Sequence, residues 1–383
     1  MRSDTPKVHF KGLNSLRFFA ALFVVIGHIP LNQASLGLPH PSYGALFFRG
    51  ARAVSFFFTL SGFLITYLLL EERLRTGTVD VRSFYMRRVL RIWPLYFAVI
   101  LAGLFFYNAL LPAAGVHYRV EYSLPLAVLL YTCFLPNLMN SLYTVGGILN
   151  PSWSIGVEEQ FYLFWAPAMK RARERLPVLC WTVFVVFFAV SWLTYFDVFG
   201  NGVWKRFAVQ LQFHFMAAGG LCAWWLHRHR DRFLSLPVFA SRAVQIVLFL
   251  FLADYYISNF AHWRGLADEG AQLVLYPWLI VNVTANPRNV LRIENRAFDY
   301  LGTISYGIYM LHMIAVYGTS AFFKATGWWR SPLWFYCFLF YTMVFGATFL
   351  LAHLSYRFLE SPFLRLKDQR FSSLPSSPRG ALP

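Results

Sequence analysis

The sequence is short of charge. Only 13% of its 383 residues are Asp, Glu, Lys or Arg, where soluble domains carry about a quarter. Acids are the scarcer sign, 17 against 34 basic residues. That poverty excludes a disordered chain, which needs polar, charged composition, and a charge-laced coiled coil. Cysteine is sparse too. Cys133, Cys180, Cys222 and Cys337 lie within or beside apolar runs with no CxxC or CxxH spacing. This excludes a disulfide scaffold, suggests no metal site, and reads as four small buried hydrophobes. Apolar residues are abundant instead: 58% of the chain is hydrophobic, with 41 Phe and 13 Trp. Gathered in long runs, they describe a polytopic membrane protein. The formal charge of +17 would suit a nucleic-acid binder, but the chain is too apolar for a soluble one. The excess points to cytoplasmic loops or to an anionic ligand.

The runs predict an all-α transmembrane bundle. The first, Leu16 to Leu31, has a basic flank like a signal peptide's but no small-x-small cleavage site, so it is read as retained. Ala53 to Leu70 follows, then Glu71 to Arg91, with Arg73, Arg75, Arg82, Arg87, Arg88 and Arg91. Such a loop belongs in the cytoplasm, and so does the N-terminus with Arg2, Lys7 and Lys11. Further basic returns are Lys170–Arg175, His227–Arg232, Arg288–Arg296 and the stretch from Arg365. Between them lie apolar pairs: Trp181–Phe199 with Phe207–Leu226, Val244–Phe260 with Ala271–Thr284, and Leu301–Phe323 with Pro332–Phe358. Ile92–Leu111 leaves the cytoplasm, and Trp153–Met169 returns. The intervening Ser123–Leu135 is short and holds Pro125, so a re-entrant or interfacial segment is expected near 123–150. The Gly146-Gly147…Pro151 turn beside it hints at a cavity. The sum is about ten spans over residues 10–365, both termini cytoplasmic, with a disordered tail at 366–383.

Ionisable residues inside spans are costly and default to functional candidates. Arg17 and His28 stand 11 residues apart on the first helix. That is about 16 Å along the axis and nearly the same face. Arg88 and Arg91 share a face at i, i+3, where guanidinium groups can clamp phosphates. Glu158 and Glu159 open the return helix, and adjacent acids point different ways. Glu158, with Tyr162 and Trp165 at i+4 and i+7, is the one expected to face the bundle. Ser305, Tyr309 and His312 share one helical face. His214, Asp254 and His353 have no neighbours that suggest chemistry and read as structural. Ser61-Gly62 reads as small-residue helix packing.

These pieces, in this order, make the chain resemble acyltransferase family 3, integral membrane O-acyltransferases, over about residues 10 to 365. Leu16-Arg17 through Gly27-His28 is similar to the family's Arg-x10-His motif. Ser55-Phe-Phe-Phe-Thr-Leu-Ser-Gly-Phe-Leu-Ile65 resembles the second-helix signature, and Arg88-x-x-Arg91 with Pro94 and Tyr96 the basic start of the third. Ser152-Trp-Ser-Ile-Gly-Val-Glu-Glu-Gln-Phe-Tyr162, Ser305-Tyr-Gly-Ile-Tyr-Met-Leu-His312 and Glu360-Ser-Pro362 complete the set. Asn14-Ser15 departs from a common Asp-Gly and touches no residue assigned to chemistry. The chain stops without the periplasmic hydrolase-like domain that some members append, so the expectation is a standalone enzyme.

The resemblance implies transfer of an acyl group, commonly acetyl, from cytoplasmic acyl-CoA to a hydroxyl of a carbohydrate or glycolipid, in a bacterial inner membrane. Lipopolysaccharide O-antigen, exopolysaccharide, peptidoglycan, a glycolipid and a macrolide all fit as acceptors. Arg88 and Arg91 would hold the coenzyme's phosphates. Arg17 would hold the pantetheine or polarise the thioester. His28 would deprotonate the acceptor or carry the acyl group, and Glu158 would orient His28 or bind the acceptor. Trp153, Ser305, Tyr309 and His312 are expected to bind substrate. No metal and no nucleic acid is expected; membrane lipids are. The rival reading is a transporter of a lipid-linked sugar or anionic solute.

Overall fold

In lipid, backbone N–H and C=O groups have no water to bond, so a chain this apolar must satisfy them internally. The computed structural model does so with helices alone: no strand occurs among the described residues, which are 10–40, 50–257 and 265–371. Arg2, Lys7, the end of the Val244–Phe260 run and Ser372–Pro383 lie outside them. Ten helices of 16 residues or more organise the described chain. They are α1 (Leu13–Ser35), α2 (Gly50–Thr76), α3 (Val81–Phe105), α4 (Ser152–Ala172), α5 (Leu176–Tyr195), α6 (Phe213–Arg228), α7 (Arg242–Ile257), α8 (Leu266–Ala285), α9 (Ser305–Thr326) and α10 (Leu333–Leu354).

Among the described residues, length and composition alone mark five helical stretches as able to cross a membrane: Leu13–Ser35, Gly50–Thr76, Val81–Ala113, Ser152–Tyr195 and Leu333–Arg370. The fourth runs 44 residues, about 66 Å if straight. It breaks at Arg173, whose φ is 43°, inside the basic Lys170–Arg175 segment, so α4 and α5 are separate rods. Arg73 of α2 donates to the carbonyls of Met169 and Arg173 there, tying α2 to the break. α6, at 16 residues, spans about 24 Å, short of the ~30 Å of hydrocarbon. The count of ten spans is therefore not carried by length.

The segment at 123–150 contains two short helices, Leu124–Thr132 and Pro136–Leu142, and neither is long enough to cross. They part at Phe134, with φ 54°. Carbonyls at the break meet side-chain donors. Gln160 Nε2 donates to Phe134 O at 2.8 Å, and Tyr96 Oη to Tyr131 O at 3.0 Å. The expected disordered tail does not begin at 366, because Ser361–Arg370 is helical. Its apolar Phe363 and Leu366 recur at i+3, a helical spacing that outlasts the last apolar run.

Glycine decides one helix crossing. A Cβ on Gly62 would lie 2.0 Å from Met216 O, and one on Gly219 would lie 2.0 Å from Thr59 O. α2 and α6 thus meet backbone to backbone, as small residues allow. Of the expected Ser61-Gly62 packing pair, only Gly62 serves packing; Ser61 faces the other way. Aromatic rings such as Trp165, Tyr96 and Phe161 fill the core, while Phe105, Trp334, Phe338 and Leu350 point outward. Cys180 and Cys337 are buried as expected, but Cys133 is exposed, because it follows the last turn of a short helix. His214 Nε2 sits 2.6 Å from Glu269 Oε1, and His353 bonds the Tyr300 hydroxyl, so both tie helices together.

Candidate active site

Five of the long helices, α1 to α4 and α9, enclose a narrow cavity of about 100 Å³. Each contributes polar side chains that the sequence spaces by helical turns. α1 brings Arg17. α2 brings Ser61. α3 brings Arg88 and Arg91, one turn apart. α4 brings Ser154, Glu158 and Tyr162, each one turn after the last. α9 brings Ser305, Tyr306 and Tyr309. The remaining walls are apolar, including Phe57, Phe58 and Leu64.

Three guanidinium groups against one carboxylate make this cavity cationic. Arg17 and Arg91 make no hydrogen bond or ion pair with any other described residue. Arg88 lies over the rings of Tyr162 and Phe84, 5.5 and 5.6 Å from the centroids, and its Nε is buried without a partner. Buried donors left unpaired are expensive, so three converging cations suit an anionic ligand. Glu158 Oε2 accepts from the Tyr162 hydroxyl at 3.1 Å, and Tyr162 also bonds Ser61 Oγ. Glu159 points to α3 instead, where Oε2 accepts from Trp93 Nε1 at 3.4 Å. The adjacent acids divide as expected, with Glu158 on the cavity. Trp165, expected on the same face, is core: it is fully buried and donates to Thr66 Oγ1 at 3.0 Å.

A second, wider cavity of about 770 Å³ contains His28. Asn32, one turn beyond His28, also lines it, with Glu121, Asn140, Asn150, Arg206 and Tyr317. Arg17 and His28 thus belong to one helix but to different cavities. His28 Nδ1 lies 3.0 Å from Val24 O and 3.1 Å from His312 Nε2. His312 Nδ1 in turn lies 2.5 Å from Tyr309 O, and Tyr309 lines the arginine cavity. The histidine pair thus links a residue lining one cavity to a residue lining the other.

The expected site residues therefore separate. Arg17, Arg88, Arg91, Glu158, Ser305 and Tyr309 come together, and His28 faces the other cavity. Glu158 makes no hydrogen bond to His28; the partner of His28 is His312. His312, expected to bind substrate, is fully buried and lines neither cavity. Trp153 also lines neither; its ring packs edge-on against Phe58 at 6.0 Å. Trp153 stands one position before the lining residue Ser154, about 100° round the helix, and His312 stands one turn beyond Tyr309, the last residue of its helix to line the arginine cavity. Sequence reasoning missed the cavity roles of Ser61, Ser154 and Tyr306, and of Asn32, Asn140 and Arg206 in the second. Asn32, four residues after His28, had a legible signal; Arg206 and Asn140 had none. Among the described residues no three His, Cys, Asp or Glu side chains are grouped as metal ligands would be.

Comparison with known proteins gives a consistent answer. The family model described as an acyltransferase domain matches residues 10–352. The O-acetyltransferase OatA of Staphylococcus aureus (strain NCTC 8325 / PS 47) is 24% identical over 394 residues, covering 96% of this chain and 59% of the relative. A protein of Staphylococcus aureus strain COL is 24% identical over 373 residues, covering 93% of this chain and 57% of its own length. The chain thus spans less than two thirds of the curated relatives it matches. No solved structure matches it. With a helical membrane fold, two polar cavities and a family match over most of its length, the chain belongs to acyltransferase family 3.

Proposed function

We propose that the protein is a membrane O-acetyltransferase that takes an acetyl group from acetyl-CoA at the arginine cavity. It passes the group to a hydroxyl of a cell-surface carbohydrate held in the histidine cavity. The observation that carries this reading is the pair of cavities, one cationic and narrow, the other wide and mixed in polarity, with linings joined through His28 and His312. The arginine cavity, about 100 Å³, is too small for a whole nucleotide cofactor but suits a thin thioester arm. Arg17, Arg88 and Arg91 supply the cationic path for a phosphorylated donor. The histidine cavity has the size of an ordinary small-molecule site. Its amides, one carboxylate, one guanidinium and tyrosines match the hydroxyls and flat apolar faces of a sugar.

In the reaction, His28 Nε2 takes the proton of the acceptor hydroxyl as its oxygen attacks the thioester carbonyl. The new C–O bond forms, the C–S bond breaks, and the departing thiolate takes the proton back. Arg17, one of the residues lining the arginine cavity, positions the thioester arm there. The basic segments Glu71–Arg91 and Lys170–Arg175 favour a cytoplasmic position for the arginine end, with both termini on that side. The name of OatA supports acetyl as the transferred group.

The test is purified protein in nanodiscs with labelled acetyl-CoA and an oligosaccharide acceptor panel. His28→Ala should abolish transfer while donor binding persists. Full activity in that variant overturns the role of His28. Movement of acceptor across the bilayer without consumption of donor would favour a transporter instead. Mass spectrometry of surface glycans with and without the gene identifies the acceptor.

A further inference from the structure

The geometry points to His312 as a positioning residue that fixes the proton of His28 on Nδ1 and leaves Nε2 free as the base. This rests on the reading of His28 as the base. A carbonyl oxygen only accepts hydrogen bonds. Tyr309 O, 2.5 Å from His312 Nδ1, therefore requires the hydrogen of His312 on Nδ1. In a neutral imidazole the other nitrogen is then an acceptor, and His312 Nε2 is 3.1 Å from His28 Nδ1. Val24 O, 3.0 Å away, is a second acceptor converging on that same nitrogen. Both favour an N–H there, but Val24 O already accepts the helix's own backbone N–H from His28, so the otherwise unoccupied lone pair of His312 Nε2 sets the balance. A neutral His28 so held has its only lone pair on Nε2, and His28 lines the cavity proposed for the acceptor.

The arrangement does for His28 what a buried carboxylate does in a hydrolytic triad, by fixing tautomer and ring orientation. It does so without a charge. An ionised carboxylate in the middle of a bundle would need partners to offset its burial; a neutral imidazole does not. Its burial explains why His312 touches neither substrate cavity. The proton taken by Nε2 never reaches His312: it returns to the thiolate, and His312 keeps its hydrogen on Nδ1 throughout.

Two matched amide variants separate this role from simple packing. In His312→Gln, the longer side chain can place an amide oxygen near the lost Nε2. In His312→Asn, the shorter one can still donate to Tyr309 O but stops short of His28. The expected result is that His312→Gln keeps activity within about tenfold of the parent, while His312→Asn loses about 100-fold or more in kcat. The KM for donor and acceptor should stay near the parent value in both. NMR of the 15N-histidine-labelled protein should show His28 as the Nδ1–H tautomer in the parent and in His312→Gln, and mixed tautomers in His312→Asn. Equal losses in the two variants, full activity in His312→Asn, or an unchanged His28 tautomer in His312→Asn would each overturn the inference. Full activity in His28→Ala would instead overturn the underlying assignment of the base, so the two failures are told apart.

Discussion

Tyr309 Oη lies 2.7 Å from Ser154 Oγ, joining α9 to α4 across the wall of the arginine cavity. The same hydroxyl reaches Pro151 O at 3.1 Å, the residue just before α4. Tyr309 thereby pins the start of α4, and with it the register of Glu158 and Tyr162, to the helix that carries His312.

Removing that pin should loosen the site without emptying it. Tyr309→Phe keeps the ring and loses both contacts. A net loss of about 1–2 kcal/mol of stability is expected from two neutral hydrogen bonds, measured as a lower Tm in detergent. kcat should fall more than either KM, because alignment rather than binding is disturbed. A raised donor KM with unchanged kcat would count against this role.

The three guanidinium groups should not be equivalent. Arg88→Gln and Arg91→Gln are expected to raise the KM for acetyl-CoA about tenfold or more each, the cost of one charged hydrogen bond. Arg17→Gln should act mainly on kcat, since Arg17 is assigned to positioning the thioester rather than to a phosphate. Dephospho-CoA thioester as donor should narrow the difference between parent and Arg88→Gln if Arg88 meets a phosphate. Measuring all three variants with both donors decides the assignment.

The α2–α6 crossing should tolerate no added atom. Gly62→Ala and Gly219→Ala each press a methyl group to 2.0 Å from a backbone oxygen. Overpacking typically costs about 1–3 kcal/mol, and here backbone rather than a flexible side chain must move. Less folded protein by size-exclusion chromatography is expected. Gly318→Ala is the control: it has nothing within 4 Å of the added carbon, and should be neutral to about 1 kcal/mol stabilising.

The start of α3 depends on an exposed carboxylate. Asp80 caps the helix, accepting from Ser83 N at 3.1 Å and Ser83 Oγ at 2.6 Å. The Ser83 bonds hold its carboxyl below the ordinary value of 3.8. A carboxyl depressed by folding adds stability above its unfolded pKa and loses it as pH falls through the folded one. This contribution should therefore be intact at pH 5 and above and fade below about pH 4. Asp80→Ala should cost about 1 kcal/mol at pH 7 and less at pH 3. Melting curves at the two pH values test it.

Much of this was legible in the chain. The scarcity of charge and the spacing of apolar runs called for helices throughout, and Pro125 with the Gly146-Gly147 turn marked the segment that would not cross. The i, i+3 and i, i+4 spacings put Arg88 with Arg91, and Glu158 with Tyr162, on common faces. Those are local properties, and a helix of known period determines them.

What the chain alone did not reveal are relationships between helices. Eleven residues of α1 put Arg17 and His28 on one line, but only the neighbours show that a wall divides that line into two cavities. His28 is 284 residues from His312, and no spacing rule connects them. Whether a polar residue on a helix faces a cavity, as Glu158 does, or another buried ring, as His312 does, depends on the rotation and approach of the packed rods. That approach is set by contacts such as Gly62 on Met216, which exist only once the bundle has closed. The sequence by itself determined that there would be helices and which faces of them were polar. The tertiary structure decided which of those faces meet, because side-chain partners in a bundle are chosen by packing across helices and not by distance along the chain.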